Sequence, residues 1–319
     1  MKTSCFWSLL SLDEMKFIYI PSSVSDTRVA GHSIGNLLLH HSLYEFMHPN
    51  ETALAKFDLS SFLKLNTLAG SVTRCRLLSF QSIAEASSYP NCGNMQLDYL
   101  IHSNVSTTAW NILDLVVYTA THDTVLVFFH NSGVTSINHT NVEQPRTFGL
   151  SCCQGYSNFI TQDAMQLSHV LKEQDKKRAT LLPLRLFQIV NQHKKPLFVW
   201  PPKPPKEMTE LVCTMAQDMI LKEFKSSSFT EDGEQEDISC TRHFYATTKI
   251  VFVQESCLFQ RILIPYGNIF FESFQISPTI VKPLPANSLY QHYYMNPTLA
   301  ANIMEEDPTH KRVLLTYGI

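Results

Sequence analysis

Glycine is scarce, with 10 residues in a chain of 319. Phosphate-cradling loops depend on glycine, because only a bare backbone turns tightly and approaches an anion closely. Neither Gly-x-Gly-x-x-Gly nor a Walker loop occurs, and His-Glu-x-x-His is also missing. These gaps remove the sequence signals of nucleotide-loop and zinc-protease chemistry. No Cys-x-x-Cys is found among Cys5, Cys75, Cys92, Cys152, Cys153, Cys213, Cys240 and Cys257. That excludes a zinc ribbon or a two-Cys, two-His finger. The adjacent pair Cys152-Cys153 suits neither ordinary disulfide geometry nor a zinc knuckle. The cysteines therefore read as buried or half-buried free thiols of a reducing compartment.

Charge is thin as well. Charged residues are 17% of the chain, below the usual ~25%, and the net charge of -3 rules out polyanion binding by bulk charge. Lys176-Lys177-Arg178 and His193-Lys194-Lys195 are small basic patches of the kind found on solvated surfaces. Without a helix-turn-helix, zinc module or basic helix, no direct nucleic-acid binding is expected. No run reaches the ~18 apolar residues of a membrane helix. The opening stretch Met1–Leu12 is broken by Asp13-Glu14 and has no small-residue cleavage site, so it reads as a strand and not as a signal peptide. The expectation is a soluble intracellular protein of the nucleus or cytoplasm without membrane attachment. The sequons at Asn50, Asn104 and Asn138 then carry no consequence.

What the chain does have is apolar and aromatic residues. Hydrophobic residues make up 44%, with Phe 20 and Tyr 12. That is enough to bury a core, it favours strands, and the length suits two domains. Residues 4–12 and 16–21 read as strands. Ser22–Ser33 is polar with turn residues, and Ile34–Phe46 is apolar on a helical period. Pro49 suits a first helical turn, with Asn50 or Glu51 accepting free backbone N–H groups. The helix is expected to run on with Leu54, Phe57, Ser61, Phe62 and Leu65 on one side. Val72–Phe80 reads as a strand with Thr73, Cys75 and Leu77 opposite Arg74 and Arg76. Residues 81–95 look like loop, and Leu97–His102 reads as a short strand. Asn111–Thr121 and Thr124–His130 form a hairpin about His122-Asp123. Val125–Phe129 is apolar on both faces, so it is expected at the centre of a sheet covered on each side.

Residues 132–147 read as a linker. A second block then repeats the order. Thr161–Gln174 is helical, Leu184–Val190 and Pro196–Trp200 are strands, and Glu207–Phe224 is helical. Thr241–Val253, Leu258–Pro265 and Asn268–Ile276 are strands. Residues 278–319 form a tail.

The order of the first block, two strands, short helices, a longer helix, a strand and a hairpin, is that of a PAS domain. Ser42-Leu43-Tyr44-Glu45-Phe46-Met47-His48-Pro49-Asn50-Glu51 resembles the segment that opens the long PAS helix. Leu68-Ala69-Gly70-Ser71-Val72-Thr73-Arg74-Cys75-Arg76 resembles the strand after it. Leu186–Ile189, Phe198–Pro202, Cys240–His243 and Ile264–Gly267 are similar to the region that follows the PAS domain in a group of fungal PAS proteins. The resemblance covers roughly residues 5–277. It departs from the family in the stretch of about thirty residues before Trp110.

The resemblance implies an α+β fold. A PAS-like five-stranded antiparallel sheet with helices on one face would span residues 1–131, and a second, divergent PAS-like unit would span 148–277. It implies a sensory or protein-interaction module in signal transduction or transcriptional regulation, working by ligand- or partner-dependent dimerisation with itself or another PAS protein. A small-molecule ligand could occupy the space between helices and sheet. His48 and Pro49 would serve the helix start structurally. Val116, Leu126 and Phe128 are the candidate interface or core residues. No catalytic or metal-ligating residue and no cofactor is expected. Asn91-Cys92-Gly93-Asn94 lacks the Arg-Phe-Leu-Gln continuation of a flavin photoadduct site. His48, the one tempting axial haem ligand, lies in the structural motif, and His40-His41 lies on an apolar helix. The alternatives are a ligand-free structural heterodimerisation scaffold and an enzyme of unrecognised class.

Overall fold

The computed structural model describes residues 5–64, 68, 70–87, 110–131, 159–174, 183–216, 243–252 and 254–279. The linker 132–147, the stretch Leu97–His102, Cys92, Cys152, Cys153, Cys240, Lys176–Arg178, the sequons Asn104 and Asn138, and nearly all of the C-terminal tail lie outside the described residues. Among the described residues the chain is mixed α+β. It has two five-stranded antiparallel sheets, a two-stranded ribbon and few helices.

The first sheet contains β1 (Cys5–Ser11), β2 (Phe17–Tyr19), β5 (Ser71–Leu78), β6 (Trp110–Thr119) and β7 (Thr124–Asn131), in the spatial order β2-β1-β7-β6-β5. The ribbon is β3 (Arg28–Val29) with β4 (His32–Ser33). Helices α1 (Ser22–Ser25), α2 (Ile34–Leu38), α3 (Pro49–Lys64) and α4 (Phe80–Ser87) complete this half. The second sheet contains β8 (Leu184–Asn191), β9 (Pro196–Trp200), β10 (Phe244–Phe252), β11 (Glu255–Tyr266) and β12 (Ile269–Pro278), in the order β10-β11-β12-β8-β9. Helix α5 (Thr161–Gln174) precedes it, and α6 (Lys206–Thr214) lies between β9 and β10. With the strands of each half counted along the chain, both sheets read second, first, fifth, fourth, third across their width.

The doubly apolar strand Val125–Phe129 sits between β1 and β6, as its pattern requires. Pleating sends Val125, Val127 and Phe129 to one face and Leu126 and Phe128 to the other. The first set packs with Phe6, Leu10 and Leu115 under helix residues Leu37, Leu38, Ala55, Leu59 and Ile83. This is the inner, helix-covered face. The second set faces the other sheet.

Three local expectations are corrected. The helical period over Ile34–Phe46 is cut after Leu38. There the backbone of His40 and His41 pairs with Phe17 across 2.9 and 3.0 Å, and His40 takes a φ of 70°. A separate 3-10 turn, Leu43–Phe46, starts from Ser42 and Glu45, which satisfy each other's backbone N–H groups as a capping box. In α3 the buried stripe is Glu51, Ala55, Leu59 and Phe62, while Phe57 is 41% exposed. The helix is rolled by the hold that Arg76 keeps on Glu51. Residues 80–87 form helix α4 instead of loop. Ser79 accepts the N–H of Ser82 at 3.1 Å, and Ile83 and Ala84 are buried. Helix α6 ends at Thr214, and residues 217–224 lie outside the described residues.

Candidate interaction face

Alternation along β1, β6 and β7 places Cys5, Trp7, Leu9, Val116, Tyr118, Leu126 and Phe128 on the outer face of the first sheet. Register aligns them in rows. Trp7, Phe128 and Val116 stand side by side across β1, β7 and β6, and Leu9, Leu126 and Tyr118 form the next row. Val116, Leu126 and Phe128 are each 1% exposed or less. Their cover is the outer face of the second sheet, with Phe187, Ile189, Ile262, Ile264, Tyr266 and Phe271. The Trp7 and Phe271 rings meet at 4.8 Å and 70°, and Phe128 meets Phe271 at 5.4 Å and 78°. Edge-to-face contacts of this kind add to the gain from removing apolar area from water. Gly70 belongs to the same packing, because a Cβ there would run into the Tyr118 ring.

Polar ties hold the seam at its margins. Arg185 Nη1 donates to the carbonyl of Thr121 at 2.9 Å, and its Nε donates to Gln275 Oε1 at 2.9 Å. Gln275 in turn donates to Gln260, and Gln260 to the Tyr245 hydroxyl. Burial pushes the Arg185 guanidinium down to about 10, against the opposing pull of the Asp123 charge, which leaves it charged near neutral pH. The hydroxyls of Ser273 and Tyr266 donate to the carbonyls of Thr119 and Cys5. The Tyr118 hydroxyl lies 3.2 Å from Nδ1 of His243, whose pKa is held below the usual imidazole range by burial.

Helix α5 packs against β2 of one sheet and β9 of the other. Its Asp163 is fully buried. One carboxylate oxygen accepts from the Tyr19 hydroxyl at 3.1 Å and from the Ser22 N–H at 2.9 Å, and the other from the Ile160 N–H at 3.1 Å. Burial, and then the Asp163 charge, raises the Tyr19 phenol above its ordinary value, so it stays a donor.

Between the first sheet and its helices lies a cavity of about 30 Å³. Phe6, Phe17, Leu38, Phe46, Leu77 and Phe129 are among its walls. A space of that size takes a water or two at most, and its lining is apolar.

His48 and Pro49 sit where α3 begins. The His48 N–H donates to the Arg76 carbonyl at 2.9 Å, and its Nδ1 accepts from the Asn50 N–H at 3.3 Å. Its ring packs at 4.8 Å from Trp110. Glu51, expected to cap the helix, instead accepts from the N–H and Nε of Arg76 at 2.7 and 2.9 Å. The motif thus braces α3 to the edge strand β5.

The inner face of the second sheet differs. Glu272 bridges Gln188 and Arg261, and Arg261 Nη1 donates to the Ala216 carbonyl at 2.8 Å. Reading the sequence missed this cluster, Arg185 and Asp163. The available signal was a charged residue inside an otherwise apolar strand, as in Leu184-Arg185-Leu186-Phe187 and Gln260-Arg261-Ile262-Leu263.

Among the described residues, no group of three or more His, Cys, Asp or Glu is placed to hold a metal ion, and no helix is long and apolar enough to cross a membrane. No protein-family model matches the chain, and none of the curated proteins matches it.

Proposed function

We propose that this chain is a tandem PAS-type protein-interaction module of intracellular signal transduction or transcriptional control. The observation that carries the reading is the repeated architecture. Two five-stranded antiparallel sheets share one strand order, each has a helix between its second and third strands, and they meet through their helix-free faces. The reading is also supported by the element order of the first half, which is two strands, short helices, the helix α3 that begins at Pro49, a strand and a hairpin, with α4 added before the hairpin. A partner would act by preferring one arrangement of the two sheets, which shifts the population between closed and parted states.

The ligand-free scaffold is the second reading. It is favoured by the cavity of about 30 Å³, in which phenylalanine and leucine side chains occupy the space a ligand would need.

Two measurements on the purified full-length chain test these readings. One is an absorption spectrum, and the other is solution mass at increasing concentration. The interaction module with a filled first cavity predicts protein absorbance alone and a monomer while the outer faces stay paired. A Soret or flavin band would overturn the filled cavity. A dimer that dissociates when Phe128 is replaced, with the fold intact by circular dichroism, would instead return the outer face of the first sheet to intermolecular use.

A further inference from the structure

We draw no further inference here: the strongest candidate, the buried Gln188–Arg261–Glu272 cluster on the inner face of the second sheet, clamps the Ala216 carbonyl at the end of α6 and leaves Arg261 Nε without a partner, and nothing among the described residues shows what group would meet that atom.

Discussion

Under α2, α3 and α4 the first sheet presents Phe6, Leu10, Leu115, Val117, Val125, Val127 and Phe129. Under α6 the second sheet presents Gln188, Arg261 and Glu272 among Leu186, Phe259, Phe274 and Ile276. The two sheets nonetheless share one strand order. The difference teaches that hairpins and backbone pairing set this order, while the filling of the helix-covered face can change from apolar side chains to a hydrogen-bonded polar cluster in which Arg261 Nε is left without a partner. In the first half, apolar burial holds helices to sheet together with the polar brace from Glu51 and His48 of α3 to Arg76 at the sheet edge. In the second, an ion pair ties the end of α6 down through Arg261. Such a pair is weak evidence of net stabilisation, because removing two charges from water offsets most of their attraction. Its structural consequence is positional, since a guanidinium bonded to both Glu272 and Ala216 admits one docking of the helix end.

Substitutions at Phe128, at the Arg261–Glu272 pair and at Asp163, with a pH series at His243, can break or sharpen that comparison. The largest effect is expected where the halves meet and the two inner faces no longer matter. Phe128→Ala should cost about 3–5 kcal/mol, the range for truncating a buried phenylalanine, read from chemical denaturation of the full chain. A loss below about 1 kcal/mol would mean the outer faces are not packed as described. Phe128→Glu would place an unpaired charge in the same seam and is expected to unfold the protein outright.

The ion pair can be tested against apolar filling directly. Glu272→Leu alone strands Arg261 in the core and should cost about 3–5 kcal/mol, whereas the double variant Arg261→Met with Glu272→Leu should return close to wild-type stability. Equal losses in the single and double variants would show that the pair contributes more than position.

A smaller loss, about 1–3 kcal/mol, is expected for Asp163→Ala, which leaves buried donors without their acceptor. It should be matched by increased hydrogen exchange at Ser22 and at the start of α5. Unchanged protection there would remove α5 as the tie between the sheet edges.

The smallest effect belongs to His243. Burial holds its folded-state pKa below the ordinary 6.5, so below about pH 6.5 the unfolded chain takes up a proton that the native chain resists. The stability it contributes is complete above that pH and is lost as pH falls toward the depressed value. His243→Gln should give a shallower fall in the denaturation midpoint over that window. An identical fall would place the pH dependence elsewhere.

Much of the fold was legible because its signals are local. The α5 helix and the hairpin β6–β7 follow from periodicity and turn residues. The alternation of Thr73, Cys75 and Leu77 against Arg74 and Arg76 also stands, with the first set buried and the arginines half-buried. What misled was equally specific. Phe57 fits an apolar stripe by type, yet Arg76 fixes Glu51 and turns that side of α3 to solvent. Ile34–Phe46 keeps a helical period, yet the backbone of Phe17 competes for the carbonyl and N–H groups near His40. Neither competitor is close in sequence. The candidate face was half legible. The apolar character of Val116, Leu126 and Phe128 could be read directly, but the identity of what covers them could not.

The sequence by itself determined that Val125–Phe129 must be covered on both faces, because an apolar residue on either side of a strand is costly to leave in water. It also determined a strand-rich chain in two blocks without glycine-built phosphate loops. Only the tertiary structure decided that the second cover is the chain's own second sheet, seated on Trp7 and Phe128 and tied down by Arg185 and Asp163. Those partners are separated by more than a hundred residues for Trp7 with Phe271 and for Tyr19 with Asp163. Periodicity reports which face of an element is apolar, and long-range packing alone selects the surface that meets it.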